Sequence, residues 1–151
     1  MPGRRAGVSH RATRPRAHRG AVVTGPRRAA ILGPALVAIV VAGLAVRLWG
    51  PARTARLLAC RPRRADAAVH PETVGWAVRT ADRVVPRTAC LERALAARAL
   101  CRRYGYAASV DVGCVREGEH LRAHSWAVCG EYTVVGGDVT AFDRLGRIAD
   151  P

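Results

Sequence analysis

An uninterrupted apolar run near the N-terminus constrains the fold of this chain more than any other feature. Residues 29–46 are eighteen apolar or small residues without a charged side chain, which is the lower limit for a membrane-spanning helix. Ala, Gly and Pro34 make up much of the run, so it inserts into lipid less favourably than a leucine-rich span. The run therefore predicts a hydrophobic helix over 29–50. That helix either spans a membrane or lies against the membrane surface or the domain.

An export signal is a third interpretation of the same run, but Arg47 and Trp49 interrupt the region where a small-residue cleavage site would stand. Arginines lie on both sides of the run, so their distribution does not orient a spanning helix. The sequence alone leaves a spanning and a peripheral helix both open.

The positive charge of the chain is concentrated at one end. The protein has 151 residues and a net charge of +14; residues 1–65 hold 14 arginines and no acid, and the rest holds 11 arginines and 11 acids. This distribution excludes a uniformly basic nucleic-acid-binding domain, so no specific nucleic-acid partner is expected. We predict a disordered arginine-rich arm over 1–28, a basic linker over 51–69 and one neutral domain over 70–151.

The cysteines indicate free thiols. Their number is odd and none stands in a C-x-x-C pair, which is atypical of both a secreted disulfide scaffold and a zinc site. In a reducing compartment one of them is then available for chemistry. They are Cys60, Cys90, Cys101, Cys114 and Cys129.

The hydrophobic period changes after Gly105 from helical to alternating. Before it, the spacing predicts a helix over 71–85 and a second over about 90–104, with Thr88 as its cap. After it, the alternation predicts a meander of about three antiparallel strands. They cover residues 110–114, 121–129 and 132–135. Helices followed by a small antiparallel sheet predict the α+β class.

Three residues together fit a Cys–His–Asp arrangement. Cys90 stands in the first helical turn, where unpaired N–H groups and the helix dipole favour a thiolate. His124 lies on a strand, on the same face as Trp126, and Asp138 follows two glycines after the next strand. On residue type alone, a buried apolar cysteine, a structural histidine and a turn aspartate are the commoner interpretations, and the catalytic arrangement stays open beside them.

The chain carries the motifs C-L-E-R-A-L-A, C-R-R-Y-G-Y-A, V-D-V-G-C-V-R and A-H-S-W. In these four segments it resembles the lasso-peptide B-type leader peptidases in their stand-alone protease form. These are small transglutaminase-like cysteine proteases with the pattern C-L-x-R-A-L-A, a helix ending in R-R-x-G, a G-V-R strand and A-H-A-W. Here Ser125 replaces the Ala of the last motif, and Cys114 interrupts the strand motif. The resemblance covers about residues 70–145 and, less closely, the hydrophobic helix with its Arg-Leu-Trp-Gly-Pro ending. The matching segments are 90–96, 101–107, 110–116 and 123–126.

The resemblance implies a transglutaminase- or papain-like fold and a defined set of roles. Cys90 would attack the scissile peptide carbonyl, and His124 would activate the thiol and then protonate the leaving amine. Asp138 would fix the histidine tautomer; the alternatives are Asp143, Glu131, or a Cys–His dyad that works without a third residue. Backbone N–H groups at the start of the helix would hold the oxyanion.

The resemblance also implies partners and a location. The substrate would be a ribosomally made precursor, presented by a small leader-recognition protein, and an asparagine-synthetase-like cyclase would close the released core. No metal or nucleotide motif stands in the sequence, so no cofactor is expected. The protein would be cytoplasmic, free or attached to the inner face of the cell membrane. An acyl transferase on the same fold and a non-catalytic membrane-associated binding module are the alternatives.

Overall fold

The computed structural model describes residues 25–58 and 69–148, in which three helices precede four strands. This order confirms the predicted α+β class. The elements are α1 (Gly25–Leu57), α2 (Pro71–Asp82), α3 (Cys90–Arg103), β1 (Ser109–Glu117), β2 (His120–Cys129), β3 (Tyr132–Val135) and β4 (Asp143–Ile148).

Helix α1 is longer than the sequence predicts at both ends. It takes in residues 25–28, which we assigned to the arm, and residues 51–57, which we assigned to the linker. At the predicted boundary Gly50 adopts φ 76° and ψ 167°, a non-helical conformation that glycine tolerates, so the first helical segment ends where the sequence predicts and, after a kink, a second segment follows it to Leu57. Thr54 Oγ1 donates a hydrogen bond of 2.8 Å to the Gly50 carbonyl and so supports the kink. The rest of the predicted arm and linker lies outside the described residues.

One face of α1 packs against α2 and α3 and forms part of the core. Near its C-terminal end, the buried Arg98 of α3 donates from Nη1 to the carbonyl of Ala55 at 3.0 Å. That bond satisfies a carbonyl of the last helical turns, which has no partner within the helix. Helix α1 is therefore part of the domain that we predicted to begin at residue 70. Its buried face, at spacings of three and four residues, consists of Ile31, Ala35, Ile39, Ala42 and Ala45.

The strands form one antiparallel sheet in the order β3-β2-β1-β4. The sequence predicted the first three strands and missed β4, whose residues are mostly exposed and show no apolar alternation. An ion pair helps to fix this edge strand to β1. Arg147 donates to the buried Asp111 of β1 through Nε at 2.6 Å and Nη2 at 2.8 Å. Arg144 Nη1 lies 3.5 Å from the same carboxylate.

Helix α3 lies across the sheet and packs mainly on β2. The core between them consists of Ala, Val and Leu side chains, among which Val110 of β1 and Ala127 of β2 are opposite one another and fully buried. This packing fixes the start of α3 relative to β2, and those two elements carry the residues singled out for chemistry.

Candidate active site

Cys90 is the first residue of α3 and is partly exposed. The N-cap position is Ala89, which has no side-chain acceptor. The predicted cap, Thr88, instead donates from Oγ1 to the Val85 carbonyl at 3.1 Å. Because the first N–H groups of a helix have no intrahelical partner, those beside Cys90 remain available to a negatively charged oxygen.

Helix α1 supports the start of α3 through Glu92. This carboxylate is buried and accepts a hydrogen bond of 3.0 Å from the N–H of Ala89. Gly43 of α1 lies against it, since a Cβ added at Gly43 would stand 3.5 Å from the carboxylate. The hydrophobic helix therefore helps to determine where the cysteine-bearing helix begins.

A main-chain carbonyl holds His124. Its Nε2 lies 2.8 Å from the Gly136 oxygen, and because a carbonyl only accepts, Nε2 carries the proton. In the neutral ring Nδ1 is then the acceptor. The ring stacks on Trp126 at a centroid distance of 6.3 Å and lies 5.1 Å from Phe142, and these two rings are themselves 6.3 Å apart, so the three form one aromatic cluster.

Cys90 and His124 line the same cavity, which has a volume of about 250 Å³. No hydrogen bond joins the two side chains in this structure, as is common for catalytic pairs before substrate binds. The structure therefore brings together the two residues that the sequence places 34 positions apart. The other residues that line the cavity are Val78, Arg79, Asp82, Arg93, Ser125, Val135, Gly136 and Gly137.

Asp138, the third residue singled out from the sequence, does not contact His124. Its exposed carboxylate accepts from the N–H of Thr140 at 3.0 Å and from Oγ1 at 2.6 Å, and these bonds lower the pKa of Asp138. Gly136 has φ 134°, a conformation that side chains rarely allow, and its carbonyl takes the place at Nε2 that we expected for the carboxylate. The alternatives Glu131 and Asp143 are exposed and likewise make no contact with the ring.

Three charged residues of the cavity wall were not predicted. Arg93 Nη1 forms an ion pair of 2.9 Å with Asp82, and Arg79 Nη1 donates to the Val134 carbonyl at 2.9 Å. By helical periodicity alone, Arg79 and Asp82 fall on the side of α2 opposite its apolar residues, which predicts exposure to solvent. Two features of the sequence could have indicated these residues. Arg79 and Asp82 are three positions apart and so share one helical face, and Arg93 lies one turn after Cys90.

Two further cysteines, Cys101 and Cys129, contact each other outside the cavity. The thiol of Cys101 on α3 donates a hydrogen bond to Cys129 on β2, which lowers the pKa of Cys129 to about 7 and raises that of Cys101. Labelling with a thiol reagent at neutral pH therefore reports on Cys129 as well as on Cys90, and the two must be separated by peptide mapping. Within residues 25–58 and 69–148, no cluster of three His, Cys, Asp or Glu side chains forms a metal site.

The family of the chain follows from comparison with known proteins. No curated protein and no solved structure shows significant similarity to it. The family model described as Transglutaminase-like superfamily matches residues 36–148, which run from the middle of α1 to the end of β4. Proteins of this superfamily are commonly cysteine peptidases or acyl transferases. The match covers most of the sequence and includes both residues of the cavity pair, and the chain belongs to the transglutaminase-like superfamily.

Proposed function

We propose that this protein is a cysteine protease that removes the leader from a lasso-peptide precursor before the macrolactam is closed. The observation that carries the proposal is the cavity shared by Cys90 at a helix start and His124 on a strand. The resemblance of residues 90–96 and 123–126 to the leader peptidases supplies the substrate class. Superfamily membership supports cysteine chemistry in general.

The first half of the reaction follows from the orientation of His124. With Nε2–H bound to Gly136, Nδ1 takes the thiol proton as Cys90 Sγ attacks the scissile carbonyl carbon. The carbonyl oxygen becomes an oxyanion, which the open N–H groups at the start of α3 stabilise. When the C–N bond breaks, the proton moves from Nδ1 to the leaving amine, and the leader stays on Cys90 as a thioester.

The second half returns the enzyme to its starting state. A water molecule gives one proton to Nδ1 and attacks the thioester carbon, and the C–S bond breaks with the proton returning to sulfur. The products are a leader with a free carboxylate and a core peptide with a free N-terminal amine. That amine is what an asparagine-synthetase-like cyclase needs to form a lactam with an acidic side chain.

The proposal includes partners and a location. A small leader-recognition protein would present the precursor, because the described residues of this chain form one small domain whose cavity holds only a short segment of peptide. Because such precursors are made on cytoplasmic ribosomes, we place the reaction in the cytoplasm or at the inner face of its membrane.

The test is a cleavage assay on a lasso precursor with its recognition protein, read by mass spectrometry. We expect the parent to give two fragments whose masses sum to precursor plus water, and Cys90→Ala to give none. Cys114→Ala is the matched control, since Cys114 is a partly exposed cysteine of β1 outside the cavity, and it should cleave like the parent. Unimpaired cleavage by Cys90→Ala would disprove the assignment. A crosslinked product in place of two fragments would show acyl transfer, and binding without any product a non-catalytic module.

A further inference from the structure

Helix α1 is apolar on two opposite faces, and the domain covers only one of them. The buried face packs on α2 and α3 from Ile31 to Ala55. The opposite face, which we name the outer face, is exposed; Val37 is 61%, Leu44 53% and Leu48 69% accessible to solvent. Its members recur at spacings of one, three and four residues, as a single helical stripe requires. The outer face consists of Leu36, Val37, Val40, Val41, Leu44 and Leu48.

A contiguous aliphatic stripe of this kind marks an interaction surface, because soluble domains rarely expose one. By length and composition, residues 29–57 qualify as a helix that crosses a membrane. Packing argues against that arrangement for the folded domain. The buried face packs on α2 and α3, which carry charged side chains such as Arg79 and Asp82, so a spanning α1 would draw part of these helices into the hydrocarbon at a high cost.

Charge identifies what covers the outer face. Residues 1–58 hold 11 arginines and no acidic residue. Arg47, Arg53 and Arg56 are exposed on α1 itself, at and beyond the end of the stripe. Aliphatic side chains bordered by cations, with no acceptor or anion among them, match the acyl chains and anionic headgroups of a bilayer.

We propose that the outer face of α1 is a docking surface for an anionic membrane, on which the helix lies in the plane of the bilayer while its buried face stays packed on the domain. The proposal does not depend on the chemistry at Cys90. It makes α1 at once a core helix and a membrane contact, and it decides between the spanning and peripheral arrangements that the sequence leaves open.

The test is flotation of the full chain with vesicles of phosphatidylcholine containing phosphatidylglycerol, and with vesicles of phosphatidylcholine alone. We expect the parent to float with the anionic vesicles, and higher salt to weaken binding by screening. The double variant Val37→Glu/Leu44→Glu should bind at least about tenfold less, because two side chains no longer enter the acyl region. Leu121→Glu/Leu145→Glu is the matched control, with the same charge change at exposed apolar positions on β2 and β4, and it should float like the parent.

A second variant tests the charge argument without altering the stripe. Arg47→Gln/Arg53→Gln should reduce binding to anionic vesicles and leave the thermal unfolding temperature unchanged. The proposal is overturned if the parent ignores anionic vesicles, if it binds uncharged ones equally well, or if both double glutamate variants lose binding alike. Dimerisation of the parent that Val37→Glu/Leu44→Glu abolishes, without vesicle binding, would assign the outer face to a second copy of the chain instead.

Discussion

His124 is held at one nitrogen by the Gly136 carbonyl and packs in a cluster with Trp126 and Phe142, so its orientation does not require a carboxylate. A carbonyl dipole stabilises the imidazolium less than a full negative charge does. It fixes the same tautomer, however, and leaves Nδ1 as the acceptor that the proposed proton transfer from Cys90 requires. The side chains that affect this site are therefore those that position the ring or the carbonyl.

Replacing Asp138 tests this arrangement directly. Asp138→Asn keeps an acceptor for Thr140 and removes the charge, so we expect turnover within about threefold of the parent, whereas His124→Ala should lose about 10²–10⁴-fold. Steady-state kinetics on the precursor provides the measurement. A loss of about a hundredfold or more in Asp138→Asn would return the aspartate to the catalytic machinery.

Among single residues, the sequence identified the features of the site that depend on side-chain type. The cysteine of C-L-E-R and the histidine of A-H-S-W were found by their motifs, and the structure places both on one cavity. The partner of His124 was not found, because a main-chain carbonyl has no residue type of its own. Asp82 and Arg93 were missed because they form an ion pair between two helices. In the sequence, each of them has the pattern of a solvent-exposed charge.

Helix α2 and strand β3 come into close backbone contact at Gly75. A Cβ there would stand 2.3 Å from the Val134 carbonyl, the same carbonyl that accepts from Arg79. Helices and strands with strong periodicity were predicted from the sequence, including β3. This contact was not, because it depends on the relative position of two elements 55 residues apart along the chain.

Two glycine substitutions should therefore have opposite effects. In a helix, alanine is favoured over glycine by about 1 kcal/mol, and at Gly43 of α1 the added Cβ would make only ordinary van der Waals contacts, 3.5 Å from the Glu92 side chain, so Gly43→Ala should stabilise the protein by up to about that amount. Gly75→Ala should destabilise it by about 1–3 kcal/mol, because backbone must move. Chemical denaturation measures both, and a stabilised Gly75→Ala would contradict the close approach.

Strand β4 depends on charge, and its stability should depend on pH. Hydrogen bonds from Arg147, opposed by burial, hold the pKa of Asp111 below its usual range. A depressed carboxyl pKa stabilises the fold above the unfolded-state value of about 3.9, and the contribution is lost as pH falls through the lower folded value. The apolar pattern did not indicate β4, because most of its residues are exposed and it joins the sheet through backbone pairing with β1 and the ion pair to Asp111.

Asp111→Asn measures this contribution. At neutral pH we expect the free energy of unfolding to fall by about 1.5–3 kcal/mol, towards the lower figure because the Arg147 side chain is 45% exposed. As the pH then falls, the variant should lose less further stability than the parent, because it has no carboxylate at this position to protonate. Glu117→Gln is the matched control, since its ion pair with Arg122 is exposed on both sides and should contribute little. Equal losses in the two variants, measured by denaturation across the acid range, would contradict the assigned role of Asp111.

In the whole molecule, α1 supplies part of the core, and the boundary predicted at residue 70 divides a single unit. Hydropathy identified the helix correctly. It did not show that the helix packs on α2 and α3, because the sequence pattern of a core helix and of a membrane helix is the same. The buried Arg98, which reaches Ala55, and the buried Glu92, which lies under Gly43, are the long-range contacts that decide it.

Truncation tests this unity. A chain that begins at residue 25 keeps α1 whole and should retain cooperative thermal unfolding. A chain that begins at residue 70 loses the partner of α2 and α3 and leaves Arg98 without the Ala55 carbonyl, so it should lack a cooperative transition. Calorimetry of the two chains is the measurement. A cooperative transition in the shorter chain would show that the core closes without α1.

The carbonyl that holds His124 has a consequence for how enzymes of this kind are found. A group contributed by the polypeptide backbone depends on conformation, so the residue type that matters most for it is the glycine at position 136, where an added Cβ would stand 2.3 Å from the Trp126 Cβ. A sequence search that requires a polar residue at all three triad positions would discard such a chain as inactive. The position to require instead is the glycine, because a Cβ there would clash.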